Sequence, residues 1–150
     1  MKYKNGHFLV AILIFIYMKI VIKKLLKEAL FNKESEEQMT LLNNFITFVS
    51  KKLNLSNPKI ILKYDRKQLV TTAAYGNNKV LVYAKERALV DIMRSIAHEL
   101  VHMKQDAEGK LKDEEHDQNN AAGSPIENEA NFKAGEYIRQ FGKLHPEIYE

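Results

Sequence analysis

The stretch between residues 86 and 106 most strongly limits what this chain can fold into. Its apolar residues recur at the three- and four-residue spacing of a helix, and a second side of the same helix is polar. We therefore predict a helix over 86–106 that buries one face in a core and offers its other face to a cleft. The apolar side comprises Leu89, Ile92, Met93, Ile96, Leu100 and Met103, and the polar side comprises Asp91, Ser95, His98 and His102.

The polar side of this helix carries a pattern that suits metal chemistry. His98 and His102 are four residues apart, so a helix places them one turn apart, where both can bind one metal ion. Glu99 lies about 100° round the helix, within reach of a metal-bound water. Zinc activates such a water, and a carboxylate can take its proton and pass it to a leaving amine. Because two histidines can also meet this spacing by chance, the prediction needs a third ligand.

Glu127 is the strongest candidate for that third ligand, which would leave the fourth position of a tetrahedral zinc site open. On a helix starting near Pro125, Glu127 falls on the apolar face, whereas Glu129 falls on the polar face and is expected to face solvent. Alternatively, Glu127 only completes a capping box with Ser124. Asn131, one turn further on, could fix the tautomer of a ligating histidine or be an ordinary helix residue.

The rest of the sequence predicts an α+β domain in a chain long enough for one sizeable core. Two N-terminal helices, at 18–31 and at 35–55 with Ser35 as N-cap, precede a small antiparallel or mixed three-stranded sheet. The predicted strands are 59–64, 69–75 and 79–84, with a hairpin turn at 76–78, and a polar loop at 108–123 precedes a last helix at 124–141. We expect residues 19–150 to form a single domain.

Residues 1–18 form an apolar extension before this domain. The uninterrupted apolar run from Phe8 to Met18 is 11 residues long, which is short for a membrane span, and no small-residue cleavage site follows it. Three interpretations stay open: a reading frame extended upstream of a true start at Met18, an uncleaved anchor, and a signal peptide. The first places the protein in the cytoplasm of a host cell, and the other two make it membrane-anchored or exported.

The formal net charge of +4 comes from this N-terminal part. Residues 1–33 contain seven lysines and one glutamate, whereas the remainder contains 16 Lys and Arg against 18 Asp and Glu. We therefore expect no nucleic-acid partner, and membrane contact only through residues 1–33. The chain has no cysteine, which excludes thiolate catalysis and leaves His, Asp and Glu as metal ligands.

The sequence HELVH, followed 25 residues later by ENEAN, resembles the gluzincin metallopeptidases, whose third zinc ligand is a glutamate on a downstream helix. The resemblance implies that His98, His102 and Glu127 bind Zn²⁺ and that Glu99 is the general base. Asn131 stands where the family usually has an acid. The resemblance covers about residues 70–142. The residues in and around the two motifs are also similar to those of small predicted peptidases of tailed bacteriophages.

The resemblance further implies a minimal zincin-like fold, in which the sheet lies over the active-site helix and a C-terminal helix carries the third ligand. An edge strand within 71–83 would then pair with an extended peptide. Such enzymes often use a further side chain to stabilise the oxyanion, and the candidates are Tyr75, Tyr83, His116 and Tyr137.

Three functions are compatible with these observations. The leading one is a zinc metallopeptidase that hydrolyses peptide bonds in a peptide or protein substrate, with the loop at 107–123 as a possible lid. The alternative is a non-catalytic zinc-binding structural or assembly protein that retains the fold. The third is a membrane-associated accessory protein in which residues 1–33 carry the function.

Overall fold

The computed structural model of the chain describes residues 5–65, 71–111 and 123–150, and the side chains of all of these except 5–15 and 28–34. The chain divides into two compact units, Met1–Thr40 and Leu41–Glu150. The architecture is α+β, as predicted. In chain order, the elements are helix α1 (Asn5–Leu53), strands β1 (Lys59–Lys63), β2 (Ala73–Gly76) and β3 (Lys79–Tyr83), helices α2 (Leu89–Ala107) and α3 (Pro125–Gly142), and a 3-10 helix (Pro146–Tyr149).

Helix α1 is continuous, so the prediction of two separate N-terminal helices was wrong. Ser35, expected to be the N-cap of the second helix, lies in the interior of α1. The sequence around this position contains neither proline nor glycine and is rich in residues with high helix propensity, so nothing in it interrupts the backbone hydrogen bonds. The helix ends before Asn54, which adopts a positive φ of 53° that stops a helix.

In the first unit, the described apolar side chains of α1 are largely exposed to solvent. The exposed large ones between residues 16 and 27 are Ile16, Tyr17, Met18, Ile20, Ile22, Leu25 and Leu26. Within the part of the chain that the structure describes, no helix is both long and apolar enough to cross a membrane.

The three strands form a mixed sheet in the order β1-β3-β2, with β1 parallel and β2 antiparallel to β3. The predicted hairpin turn is confirmed. Asn77 and Asn78 have positive φ angles of 50° and 55°, which suit a two-residue turn of the type that joins antiparallel strands. Val80 and Val82 of β3 are fully buried, and the residues that alternate with them are more exposed, so one face of the sheet lies on the core.

Helix α2 lies at the centre of the second unit and packs against α3, β2 and β3. The predicted apolar face is confirmed, because Met93, Ile96 and Leu100 are fully buried. Ala130 and Ala134 on α3 are also buried, and small side chains at these positions allow the two helices to approach closely. This packing fixes the polar face of α2 beside the first turn of α3.

A cluster of aromatic side chains closes the core on the side of α1. The Phe45 ring contacts the Phe141 ring edge-on with centroids 5.2 Å apart, and Phe48 contacts both Phe141 and Tyr137. Aromatic rings favour such edge-to-face contacts. The C-terminal part of α1 is thereby fastened to α3, the helix that carries the predicted third ligand.

Candidate metal centre

The first turn of α3 is fixed by its cap. The Glu127 backbone N–H donates to Ser124 Oγ at 3.2 Å, and Pro125 occupies the first helical turn. This is the arrangement preferred at the start of a helix. The Ser124 cap and the ligand position of Glu127 are therefore compatible, because the cap uses the backbone of Glu127 while its carboxylate faces the two histidines on α2.

His98, His102 and Glu127 converge on one point. The two histidine Nε2 atoms are 2.9 Å apart, Glu127 Oε2 lies 3.3 Å from His98 Nε2, and Glu127 Oε1 lies 3.0 Å from His102 Nε2. The three ligand atoms lie within 4.8 Å of one another, as a metal site requires. Nitrogen and oxygen ligands about 2.0–2.2 Å from a tetrahedral zinc ion are themselves roughly 3.3 Å apart. Two imidazoles and one carboxylate at these separations fit zinc.

The environment of His98 favours its neutral, metal-binding form. Burial lowers the pKa of His98, and the neighbouring His102 lowers it further, whereas Glu127 and a hydrogen bond with the Asn131 side chain raise it. Asn131 therefore contacts a predicted ligand. Its role in fixing the histidine tautomer stays a prediction.

Gln105, which was not predicted from the sequence as part of the site, contacts His102. The His102 Nδ1 lies 2.8 Å from Gln105 Oε1, and the Gln105 amide nitrogen donates to Glu129 Oε2 at 3.0 Å. Glu129 is therefore only partly solvent-facing: its side chain is 31% exposed, and it also forms an ion pair with Lys133 at 2.6 Å. Lys133, and then Gln105, lower the pKa of Glu129. The three-residue spacing of His102 and Gln105 was the available signal.

Glu99, the predicted general base, is buried beside strand β2. Only 8% of the residue is exposed. Burial raises the pKa of Glu99 to about 7, an effect that the backbone N–H of Tyr75 opposes by hydrogen bonding and that the charge of Glu127 reinforces. A carboxyl group with a pKa near neutrality can both accept and return a proton at physiological pH.

Two of the predicted oxyanion-stabilising residues have other partners. The Tyr75 hydroxyl donates to Asp106 Oδ2 at 2.7 Å, and burial together with this bond raises the pKa of Tyr75 to about 12. Tyr137 is a core residue, 7% exposed, in contact with Phe48. His116 and most of the proposed lid lie outside the described residues. The backbone carbonyl of Tyr83 accepts a hydrogen bond from Arg87.

A groove of about 660 Å³ runs between α2 and α3 next to the site. Asn131, which contacts His98, lies in its wall. Arg94 on α2 and Phe132 and Gly135 on α3 also line it. Asn131 therefore belongs both to the wall of the groove and to the surroundings of His98, whereas His98, His102 and Glu127 do not line the groove.

No protein-family model, no curated protein and no solved structure matches the chain. The function is accordingly inferred from the residues of this chain.

Proposed function

We propose that the chain is a zinc metallopeptidase with a minimal zincin-like fold, in which His98, His102 and Glu127 hold the ion. The observation that carries the proposal is the convergence of these three donor atoms from two helices, within 4.8 Å of one another. The resemblance of the HELVH and ENEAN segments to gluzincins supports it independently.

Bound zinc would polarise the scissile carbonyl and lower the pKa of the attacking water. Glu99 would act as the base that takes up a proton from the attacking water and gives it to the leaving amine, a transfer for which its pKa of about 7 is well matched. The Tyr75 amide holds the Glu99 carboxylate against β2 and so limits its movement. The proton affinity of Glu99 supports its role as the general base.

The substrate is an extended peptide or protein segment. In the described sheet, β2 is an edge strand that pairs with β3 on one side only, so its other side can bind a peptide by main-chain hydrogen bonds.

Replacing Glu99 by Gln tests this function directly. Because Gln has nearly the same shape but cannot take a proton, Glu99→Gln should lower hydrolysis of an unfolded protein substrate by roughly 100-fold or more. Zinc content should be unchanged in Glu99→Gln. A control variant, Glu86→Gln, should keep wild-type activity, because the Glu86 side chain is 83% exposed and lies outside the groove. Unaltered hydrolysis in Glu99→Gln would contradict the proposal, and zinc binding without hydrolysis in the wild type would indicate the non-catalytic alternative.

We also propose that residues 16–27 bind the surface of an anionic membrane. Seven large apolar side chains of this segment are exposed, and its charged residues are four lysines and no acid. Lys19, Lys23 and Lys27 recur at four-residue spacing and so share one side of α1. A second copy of the segment would bring like charges together, whereas anionic lipid matches both its charge and its apolar surface.

Co-sedimentation of the full chain with lipid vesicles tests this second proposal. Binding should be at least tenfold stronger to phosphatidylcholine vesicles that contain phosphatidylserine than to phosphatidylcholine alone, because each lysine near such a surface contributes about 1 kcal/mol. Replacing the four lysines of the segment by Gln should remove the difference, and replacing Lys51, Lys52, Lys59 and Lys63 should not. Equal binding to both kinds of vesicle would refute it.

A further inference from the structure

Gln105 is a polar side chain in the core of the second unit. It is only 1% exposed, and it lies three residues after His102 on α2. Its amide oxygen contacts His102 Nδ1 at 2.8 Å, while its amide nitrogen donates to the Ile126 carbonyl at 3.1 Å and to Glu129 Oε2 at 3.0 Å. A buried amide is costly unless it is hydrogen-bonded, and these three contacts satisfy both ends of it.

The partners of Gln105 determine which way its amide points. The Ile126 carbonyl oxygen can only accept a hydrogen bond, and so can the Glu129 carboxylate. The NH₂ group of Gln105 must therefore face Ile126 and Glu129, which leaves its oxygen facing His102. Because that oxygen can only accept, His102 Nδ1 must carry a proton. In the neutral ring, the lone pair is then on Nε2, the atom that lies 3.0 Å from Glu127.

The side chain of Glu129 is in turn held from two sides. Lys133, one turn further along α3, donates to Glu129 Oε1 at 2.6 Å. Lys110 lies 3.9 Å from Glu129 Oε2. Both ion pairs keep the carboxylate in place as the acceptor for Gln105.

The same amide also links the two helices of the site. The Ile126 carbonyl belongs to the residue directly before Glu127, so Gln105 bonds α2 to the turn of α3 that carries the third ligand. The hydrogen bonds of Gln105 therefore affect both the orientation of the His102 ring and the position of Glu127.

We propose that Gln105, held by Glu129, is a positioning residue that fixes His102 as the Nδ1-protonated tautomer and so presents its Nε2 to the metal. This inference rests on the proposed metal site. Outer partners of ligating histidines commonly affect metal affinity 10- to 100-fold. Gln105→Leu should accordingly weaken zinc binding about 10- to 100-fold, with zinc affinity measured by competition with a chelator.

The tautomer of His102 is a second readout that needs no metal. Long-range ¹⁵N–¹H NMR of the metal-free protein should show His102 protonated at Nδ1 in the wild type and a mixture of tautomers in Gln105→Leu. The double variant Gln105→Glu with Glu129→Gln restores an acceptor for His102 Nδ1 and a donor at position 129, and should recover the Nδ1-protonated ring. It should recover only part of the zinc affinity, because the Ile126 carbonyl then faces an acceptor and loses its donor. Gln140→Leu is a control, because the Gln140 amide donates to Glu136.

If Gln105→Leu does not fold, Glu129→Ala can be measured in its place, because residue 129 is not buried. It should shift the tautomer and the zinc affinity in the same direction as Gln105→Leu, by a smaller factor. A wild-type His102 that carries no proton on Nδ1, or wild-type zinc affinity in both variants, would overturn the inference. A wild type that binds no zinc but shows the expected tautomer shift would overturn the proposed function and leave the Gln105 contact established.

Discussion

Glu99 and Glu127 have different surroundings, and these suit the two different roles proposed for them. Both are carboxylic acids in the same part of the second unit. Glu127 faces two imidazole nitrogens at 3.3 and 3.0 Å, whereas Glu99 has the Tyr75 amide as a partner and is 8% exposed. A carboxylate between two imidazoles suits a metal, and one with a pKa of about 7 suits proton transfer.

The convergence of His98, His102 and Glu127 could be predicted from the sequence because its signal is local. A four-residue spacing on one helix places His98 and His102 together, and the inward side of the next helix selects Glu127. Gln105 and Glu129 could not be predicted in the same way, because their contact joins two helices and depends on the packing between them. From the sequence of one helix alone, a polar residue outside the apolar face is predicted to face solvent. The packing of a second helix against it can make that prediction incorrect.

Ser50 gives a stability prediction at this scale. It is 8% exposed, and among the described residues its hydroxyl has no hydrogen-bond partner. Ser50→Ala should raise the free energy of unfolding by about 1.5 kcal/mol, roughly 0.5 from helix propensity and about 1 from removing an unsatisfied buried group. Thr47→Ala, at an exposed position of α1, supplies the propensity part alone. Equal stabilisation by both variants in urea denaturation would contradict the explanation.

Among the elements, helix α2 uses three of its sides for different contacts. Its apolar face forms the core, its polar face carries the two histidines, and Glu99 and Asp106 contact Tyr75 of β2. The hydrophobic period predicted this helix and the last one, and the Asn-rich turn predicted the hairpin. The period did not show that α1 is continuous, because a serine followed by acids is a start signal that also occurs inside long helices.

Tyr75 gives a prediction for the contact between β2 and α2. Tyr75→Phe removes the hydrogen bond to Asp106 and should lower the free energy of unfolding by about 1 kcal/mol near pH 8. The pKa of Tyr75 is raised from its ordinary 10.0 to about 12 in the folded protein, so ionisation favours the unfolded state. The wild type should therefore lose this advantage as the pH rises from about 10 to 12.

Urea denaturation of the wild type and Tyr75→Phe at pH 8 and at pH 11.5 measures that loss. The stability difference between the two proteins should shrink at the higher pH, because other ionising groups affect both in the same way. A difference that is the same at both pH values would show that the Tyr75 hydroxyl does not stabilise the fold through Asp106.

At the scale of the whole molecule, the two units differ in what their side chains do. In Leu41–Glu150, apolar residues from α1, the sheet, α2 and α3 form one core that fixes the cluster of His98, His102 and Glu127. In the described part of Met1–Thr40, large apolar residues are exposed beside lysines. The α+β class was predictable from the order of periodic segments. The sequence predicted either an antiparallel or a mixed sheet. It did not decide between them, because strand pairing depends on contacts between residues distant in sequence.

The most direct test of the account is the zinc content of the purified chain after equilibrium dialysis, measured for the wild type beside Glu127→Ala and Glu136→Ala. Both replaced residues are glutamates of α3, but only Glu127 faces the histidines. We predict one zinc per chain in the wild type and in Glu136→Ala, and at least a tenfold loss of affinity in Glu127→Ala. Wild-type zinc affinity in Glu127→Ala, or a wild type that binds no zinc, would contradict the central claim.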